Sequence, residues 1–150
     1  MKKIVLAVFA LFLFSGLATA GGLDEFLNSV NIQARADMNG FSARLSAQFG
    51  VPEVQVRTVI GTVKDPADAF MCLQLGQWTQ QPSEQVVRVY NANQGKGWGV
   101  IAKSLGIKPG SAEFHALKRG DLTFSGQPGG GQGAGLGKGK GRGKGKGHNK

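Results

Sequence analysis

Cysteine is all but missing from this chain: Cys72 stands alone among 150 residues. A lone thiol excludes an intramolecular disulfide framework and a four-thiolate zinc site. Histidine is nearly as scarce, with only His115 and His148, and the Gly-x-Ser-x-Gly, His-Glu-x-x-His and phosphate-cradling glycine patterns are all lacking. Acids are few. Nine Asp and Glu face 18 Lys and Arg, a formal charge of +9 that favours polyanionic partners such as nucleic acid, acidic polysaccharide or an anionic membrane surface. Long apolar runs are lacking too: a membrane span needs about 20 consecutive apolar residues, and the run from Ile4 to Phe14 is shorter.

That run has another meaning. Lys2 and Lys3 precede it, and Ala18-Thr19-Ala20 follows it with the small-x-small spacing that signal peptidase accepts. Residues 1–20 are therefore expected to be a cleavable secretory signal, with the mature chain starting near Gly21 in the periplasm or outside the cell. Export argues against functions that depend on ATP, reduced nicotinamides or genomic DNA. In an oxidising compartment Cys72 is either buried or available to cross-link two chains, and its neighbours Phe70, Met71 and Leu73 favour burial.

The positive charge is segregated. Residues 21–125 hold ten basic side chains against all nine acids and are nearly neutral, whereas residues 126–150 hold six basic side chains, no acid and 12 of the 25 glycines. Glycine alternating with Lys138, Lys140, Arg142, Lys144 and Lys146, with Lys150 at the end, cannot build a core, so a disordered basic tail is expected. These six cations are the candidate polyanion-binding residues. Each contributes about 1 kcal/mol near an anionic surface, before ordering costs and salt screening. A purely solubilising tail is the plainer alternative.

Between signal and tail, residues 21–125 read as an all-α domain, a compact bundle of about seven short helices punctuated by proline and glycine. Leu23, Phe26, Leu27 and Val30 repeat at helical spacing, predicting a helix near 23–35, and Phe41, Leu45 and Phe49 mark a second that Gly50 closes. The segment 53–63 is ambiguous, because Val54, Val56, Thr58, Val59, Ile60 and Val63 are β-branched and begin with a strand-like alternation. Helix is the expectation, since no second strand offers a ladder. Asp65-Pro66-Ala67-Asp68 is a helix start, with Asp65 as cap, Pro66 in the first turn and Asp68 at the positive end. The apolar stretch that follows to Trp78 is the candidate central helix. Further helices are predicted around Val86, Val87 and Tyr90, around Trp98, Ile101, Ala102 and Leu105, and from a Ser111 cap through Phe114 and Leu117 to Gly120.

Pro52, Pro82 and Pro109 each fall between two helical stretches, 30 and 27 positions apart, giving helix-turn-helix-like hairpins. A DNA reader needs polar side chains on the second helix of such a hairpin. Glu53, Gln55 and Arg57 in one hairpin, and Glu113, His115 and Lys118 in another, are unremarkable in that role. Nucleic-acid binding by hairpins and tail together is nevertheless the second functional reading; an envelope metal or stress responder is the third. No enzyme, cofactor or metal site is expected: a Cys72–His115 dyad would place its thiol in the most apolar segment, and Asp65, Asp68 and Glu84 read as helix caps. Joining His115 to His148 would link a helix to the tail.

Trp98, between Gly97 and Gly99, admits two readings. One is a hydrophobic anchor whose glycines allow close backbone approach; the other is an exposed aromatic platform for a sugar or peptide, with Lys96 or Lys103 as polar partner. From Asn91 through Gly95-Lys96-Gly97-Trp98-Gly99-Val100-Ile101-Ala102-Lys103, and on through Lys108-Pro109-Gly110-Ser111-Ala112-Glu113-Phe114-His115-Ala116-Leu117-Lys118, the chain resembles a group of small exported bacterial helical proteins of uncharacterised function. The resemblance implies export and a structural signature at Gly-Trp-Gly, and carries no activity, ligand or site. The expectation is thus a non-enzymatic periplasmic or secreted interaction module, held on anionic envelope polymers or lipid headgroups by its tail, with a protein partner for its body.

Overall fold

The computed structural model describes residues 22–125, which contain seven helices and, among the described residues, no strand. They are α1 (Gly22–Ala36), α2 (Met38–Phe49), α3 (Glu53–Thr62), α4 (Pro66–Thr79), α5 (Ser83–Ala92), α6 (Trp98–Ser104) and α7 (Ala112–Arg119). The all-α bundle read from the periodicity is the fold, and the three proline-containing turns join α2 to α3, α4 to α5 and α6 to α7. The expected signal, residues 1–20, and the expected tail, residues 126–150, lie outside the described residues.

Helix α4 is the centre. Every residue from Ala69 to Gly76 is buried, and α1, α2, α3 and α5 all pack on it. A helix apolar over more than one face needs neighbours on every side, and the bundle supplies them. Phe70 anchors an aromatic cluster from α4, with ring centroids 5.2 Å from Phe26, 5.6 Å from Phe49 and 6.1 Å from Phe124. Cys72 is fully buried on the same helix.

The start of α4 uses the Asp-Pro-Ala-Asp signal and adds a partner that the sequence did not announce. Asp65 takes the cap position in extended backbone, Pro66 enters the first turn, and the Asp65 N–H donates to the Asp68 carboxylate at 3.2 Å. The Ala67 N–H, one of the helix's orphan donors, is satisfied by the Asn31 side-chain carbonyl of α1 at 2.8 Å.

The ambiguous segment is helical. Val56 and Val59 face the core, while the Thr58 and Thr62 hydroxyls donate back to the carbonyls of Val54 and Thr58 at 2.9 and 2.7 Å. Tertiary burial has overridden the β propensity, and the threonines find partners within the helix. Val54 itself is 78% exposed.

Glycines with left-handed backbone close α2 and α7, at Gly50 (φ 64°) and Gly120 (φ 71°). Gly120 also lies directly against the Gly22 backbone, leaving no room for a Cβ, so the end of α7 is pressed onto the start of α1. After Gly120 the chain runs back across the bundle. Phe124 is buried with its ring 5.3 Å from Phe41, and the Gln48 amide clamps the backbone on either side of it, donating to the Thr123 carbonyl at 2.7 Å and accepting from the Ser125 N–H at 2.9 Å.

Candidate functional site

The end of α5, the glycine-containing loop after it and the start of α6 converge on the turn between α3 and α4. Tyr90 lies in the last turn of α5, and Trp98 opens α6 with its ring stacked on that of Tyr90, centroids 5.4 Å apart and planes 25° from parallel. Opposite them stand Lys64 and Asp65 in the turn and Asp68 on α4. Together with Gln94, Gly95, Gly97 and Ile101, these residues line an open cleft of about 420 Å³.

Hydrogen bonds fix the inner wall. The Tyr90 hydroxyl donates to Asp68 Oδ2 at 2.7 Å, and the Lys64 N–H donates to the Tyr90 oxygen at 3.4 Å. Arg35, reaching over from α1, pairs with Asp65 Oδ1 at 3.2 Å. Desolvation raises the Asp68 carboxyl above its usual range, against the opposing pull of the Tyr90 hydrogen bond and the Asp65 N–H. Burial, and next the Asp68 carboxylate, push the Tyr90 hydroxyl up to about 12, so at neutral pH it stays protonated and remains a donor.

Trp98 is thus part anchor and part wall: partly buried, packed against the core, and lining the cleft. The two lysines suggested as its partners stand elsewhere. Lys96 is exposed with its ammonium 3.4 Å from Asn93 Oδ1, Lys103 is exposed in the last turn of α6, and neither lines the cleft. The polar groups actually assembled beside Trp98 are Lys64, Asp65, Asp68 and Gln94. The glycines also differ from expectation. A Cβ on Gly97 would meet nothing within 4 Å, so its role is the positive φ of 86° that turns the chain into α6, and not close packing. What sequence reasoning missed is the link from Tyr90 to Asp68. Asp68 was visible only as a cap and Tyr90 only as core, although Tyr90 is the sole tyrosine and lies one loop before Gly-Trp-Gly.

Several other chemistry-bearing groups are engaged or sealed, whereas Glu113, His115 and Lys118 stand exposed on α7. Burial pushes the Cys72 thiol up to about 12, which keeps it protonated and poorly nucleophilic. On α3, Glu53 accepts from Arg57 and from Ser42, while Gln55 donates to Ser83 and Glu84, so the polar face considered for base reading is occupied within the fold. A second cleft, of about 340 Å³, is lined by Gln55, Gln77, Gln80 and Gln81 among others. Gln55, Gln80 and Gln81 there already donate within the protein. Among the described residues no group of three or more His, Cys, Asp and Glu is placed to hold a metal ion, and no helix is long and apolar enough to cross a membrane. The candidate polyanion contacts Lys138, Lys140, Arg142, Lys144, Lys146 and Lys150 lie outside the described residues.

Comparison of the chain with known protein families, with curated proteins and with solved structures finds no match.

Proposed function

We propose that this is a non-enzymatic exported binding module: a helical body that holds a ligand in the cleft beside Trp98, and a basic tail that retains the protein on anionic envelope polymers or lipid headgroups. The observation that carries the proposal is the division of labour along the chain. The body is nearly neutral, and residues 126–150 carry six cations and no acid. A glycine-spaced cationic segment suits an irregular anionic surface and supplies attachment without specificity. Specificity then falls to the body, where the Trp98 cleft sets an aromatic wall beside the polar side chains of Lys64, Asp65, Asp68 and Gln94.

The tethering half is tested by deleting residues 126–150 and measuring binding to phosphatidylglycerol vesicles and to lipopolysaccharide at low and high salt. The full chain is expected to bind at low salt and release at high salt, and the truncated chain to stay in solution. Equal binding by both chains, or binding by neither, overturns it. Export is tested by N-terminal sequencing of the protein from fractionated cells, with a start near Gly21 expected. A chain beginning at Met1 in the cytosol would instead support the nucleic-acid reading.

A further inference from the structure

Resting on the binding-module reading, we infer that the cleft beside Trp98 takes a neutral sugar ring, a hexose or N-acetylhexosamine unit of a glycan. The inference starts from charge balance. Asp65 and Asp68 would invite a cation, but Arg35 pairs with Asp65 at 3.2 Å and Lys64 lines the same cleft. Two acids are thus answered by two bases, and the site favours neither sign. A charged ligand would gain little here over bulk solvent, whereas a neutral polyol has no net charge to desolvate.

The unused hydrogen-bonding groups define the ligand further. Both protein hydrogen bonds to Asp68 fall on Oδ2, which leaves Oδ1 as an acceptor. Gln94 donates through Nε2 to Asn91 at 3.3 Å, which leaves its carbonyl oxygen. The Lys64 ammonium forms no ion pair among the described residues and is a donor. A sugar hydroxyl both donates and accepts, so a row of hydroxyls can serve two acceptors and a donor at once. The apolar C–H face of a pyranose ring matches an indole, and the Trp98 ring is held in orientation by stacking on Tyr90, which is itself pinned by Asp68. Gly95 and Gly97 line the cleft without side chains of their own, beside Gln94 from the same loop. At about 420 Å³ the cleft lies within the usual range for small-ligand sites, about 300–1,000 Å³.

The test uses the full mature chain carrying Trp78→Phe, which leaves Trp98 as the only one of two tryptophans. Its emission is followed during titration with tetramers of N-acetylglucosamine and of glucose, and with tetralysine as a cationic peptide. Calorimetry on the unaltered chain makes the result independent of the replacement. At least one neutral tetrasaccharide is expected to give a saturable change with a Kd of about 1 mM or tighter, insensitive to salt. The exposed changes Gln94→Ala and Lys64→Ala, which leave the aromatic stack untouched, are each expected to weaken binding several-fold, and Trp98→Ala to abolish it. No saturable response to either sugar, a response to tetralysine alone, or undiminished affinity in the Gln94→Ala/Lys64→Ala double variant overturns the inference. Neutral sugars have no electrostatic affinity for the basic tail, so failure here leaves the vesicle experiment standing, and the reverse.

Discussion

The Tyr90 hydroxyl donates a 2.7 Å hydrogen bond to the carboxylate of Asp68, joining the end of α5 to the first turn of α4 at the edge of the cleft. Tyr90→Phe keeps the ring on Trp98 and removes that donor, together with the long 3.4 Å acceptor contact to the Lys64 N–H. The loss of a hydrogen bond to a partly buried charge is expected to cost about 2 kcal/mol in chemical denaturation. Wild-type stability within 0.5 kcal/mol, roughly the scatter of a neutral surface substitution, would contradict it.

Asp68 also sets a pH dependence. Its carboxyl in the fold lies above the ordinary value of 3.8, so the native state holds this proton more tightly than the unfolded chain does. The linked stability is complete below 3.8 and is lost as pH rises through the raised native value. Asp68→Asn removes this titration. The stability of wild type minus variant is therefore expected to fall as pH rises across that window, and a pH-independent difference in melting temperature would refute the assignment.

Helices α1 and α4 are joined by two polar links of unequal worth. Asn31 satisfies the Ala67 N–H at 2.8 Å, whereas the Arg35–Asp65 pair has side chains 68% and 36% exposed. Asn31→Ala strands a helix-terminal donor and is expected to cost about 1 kcal/mol or more. Arg35→Ala is expected to cost about 0.5 kcal/mol or less, and that small effect should shrink with added salt. Urea denaturation of the two variants decides the order.

Gly50 and Gly120 share a left-handed backbone but not a neighbourhood. A Cβ at Gly50 meets nothing within 4 Å, while one at Gly120 would collide with the backbone of Gly22 and approach the Leu23 nitrogen to 2.8 Å. Gly50→Ala is expected to cost about 1 kcal/mol through conformation alone. Gly120→Ala is expected to cost at least twice as much, because backbone must move. Comparable melting temperatures for the two variants would show that the α1–α7 junction yields freely.

The Cys72 thiol is expected to resist Ellman's reagent at pH 8 in the native protein and to react on addition of guanidinium. With a pKa of about 12 the thiolate fraction at that pH is roughly one in ten thousand. Rapid labelling of the folded chain would place the thiol outside the core.

Most of the helical framework could be read from local chemistry. The Asp65-Pro66 start, the Ser111 cap whose hydroxyl oxygen accepts from the Phe114 N–H, and the closing glycines act within a few residues, so the sequence displays them directly. Residues 53–62 were harder, because their β-branched side chains gain from burial of Val56 and Val59, which depends on where α3 lands. The cleft was half legible. Gly97-Trp98-Gly99 stands out in any reading, but of its polar partners only Gln94 is near in sequence; Lys64, Asp65 and Asp68 come from the far turn between α3 and α4 and the start of α4, and no spacing rule joins them to a tryptophan. Gln48 was invisible for the same reason: its grip on Thr123 and Ser125 spans 75 and 77 positions.

That grip governs how force would enter the molecule. Anything attached to the chain beyond Ser125 pulls first on two hydrogen bonds from one amide, and then on a phenylalanine wedged among Phe41 and Phe70. A tug along the cord is therefore resisted by the aromatic heart of the bundle, like a knot seated behind a plank.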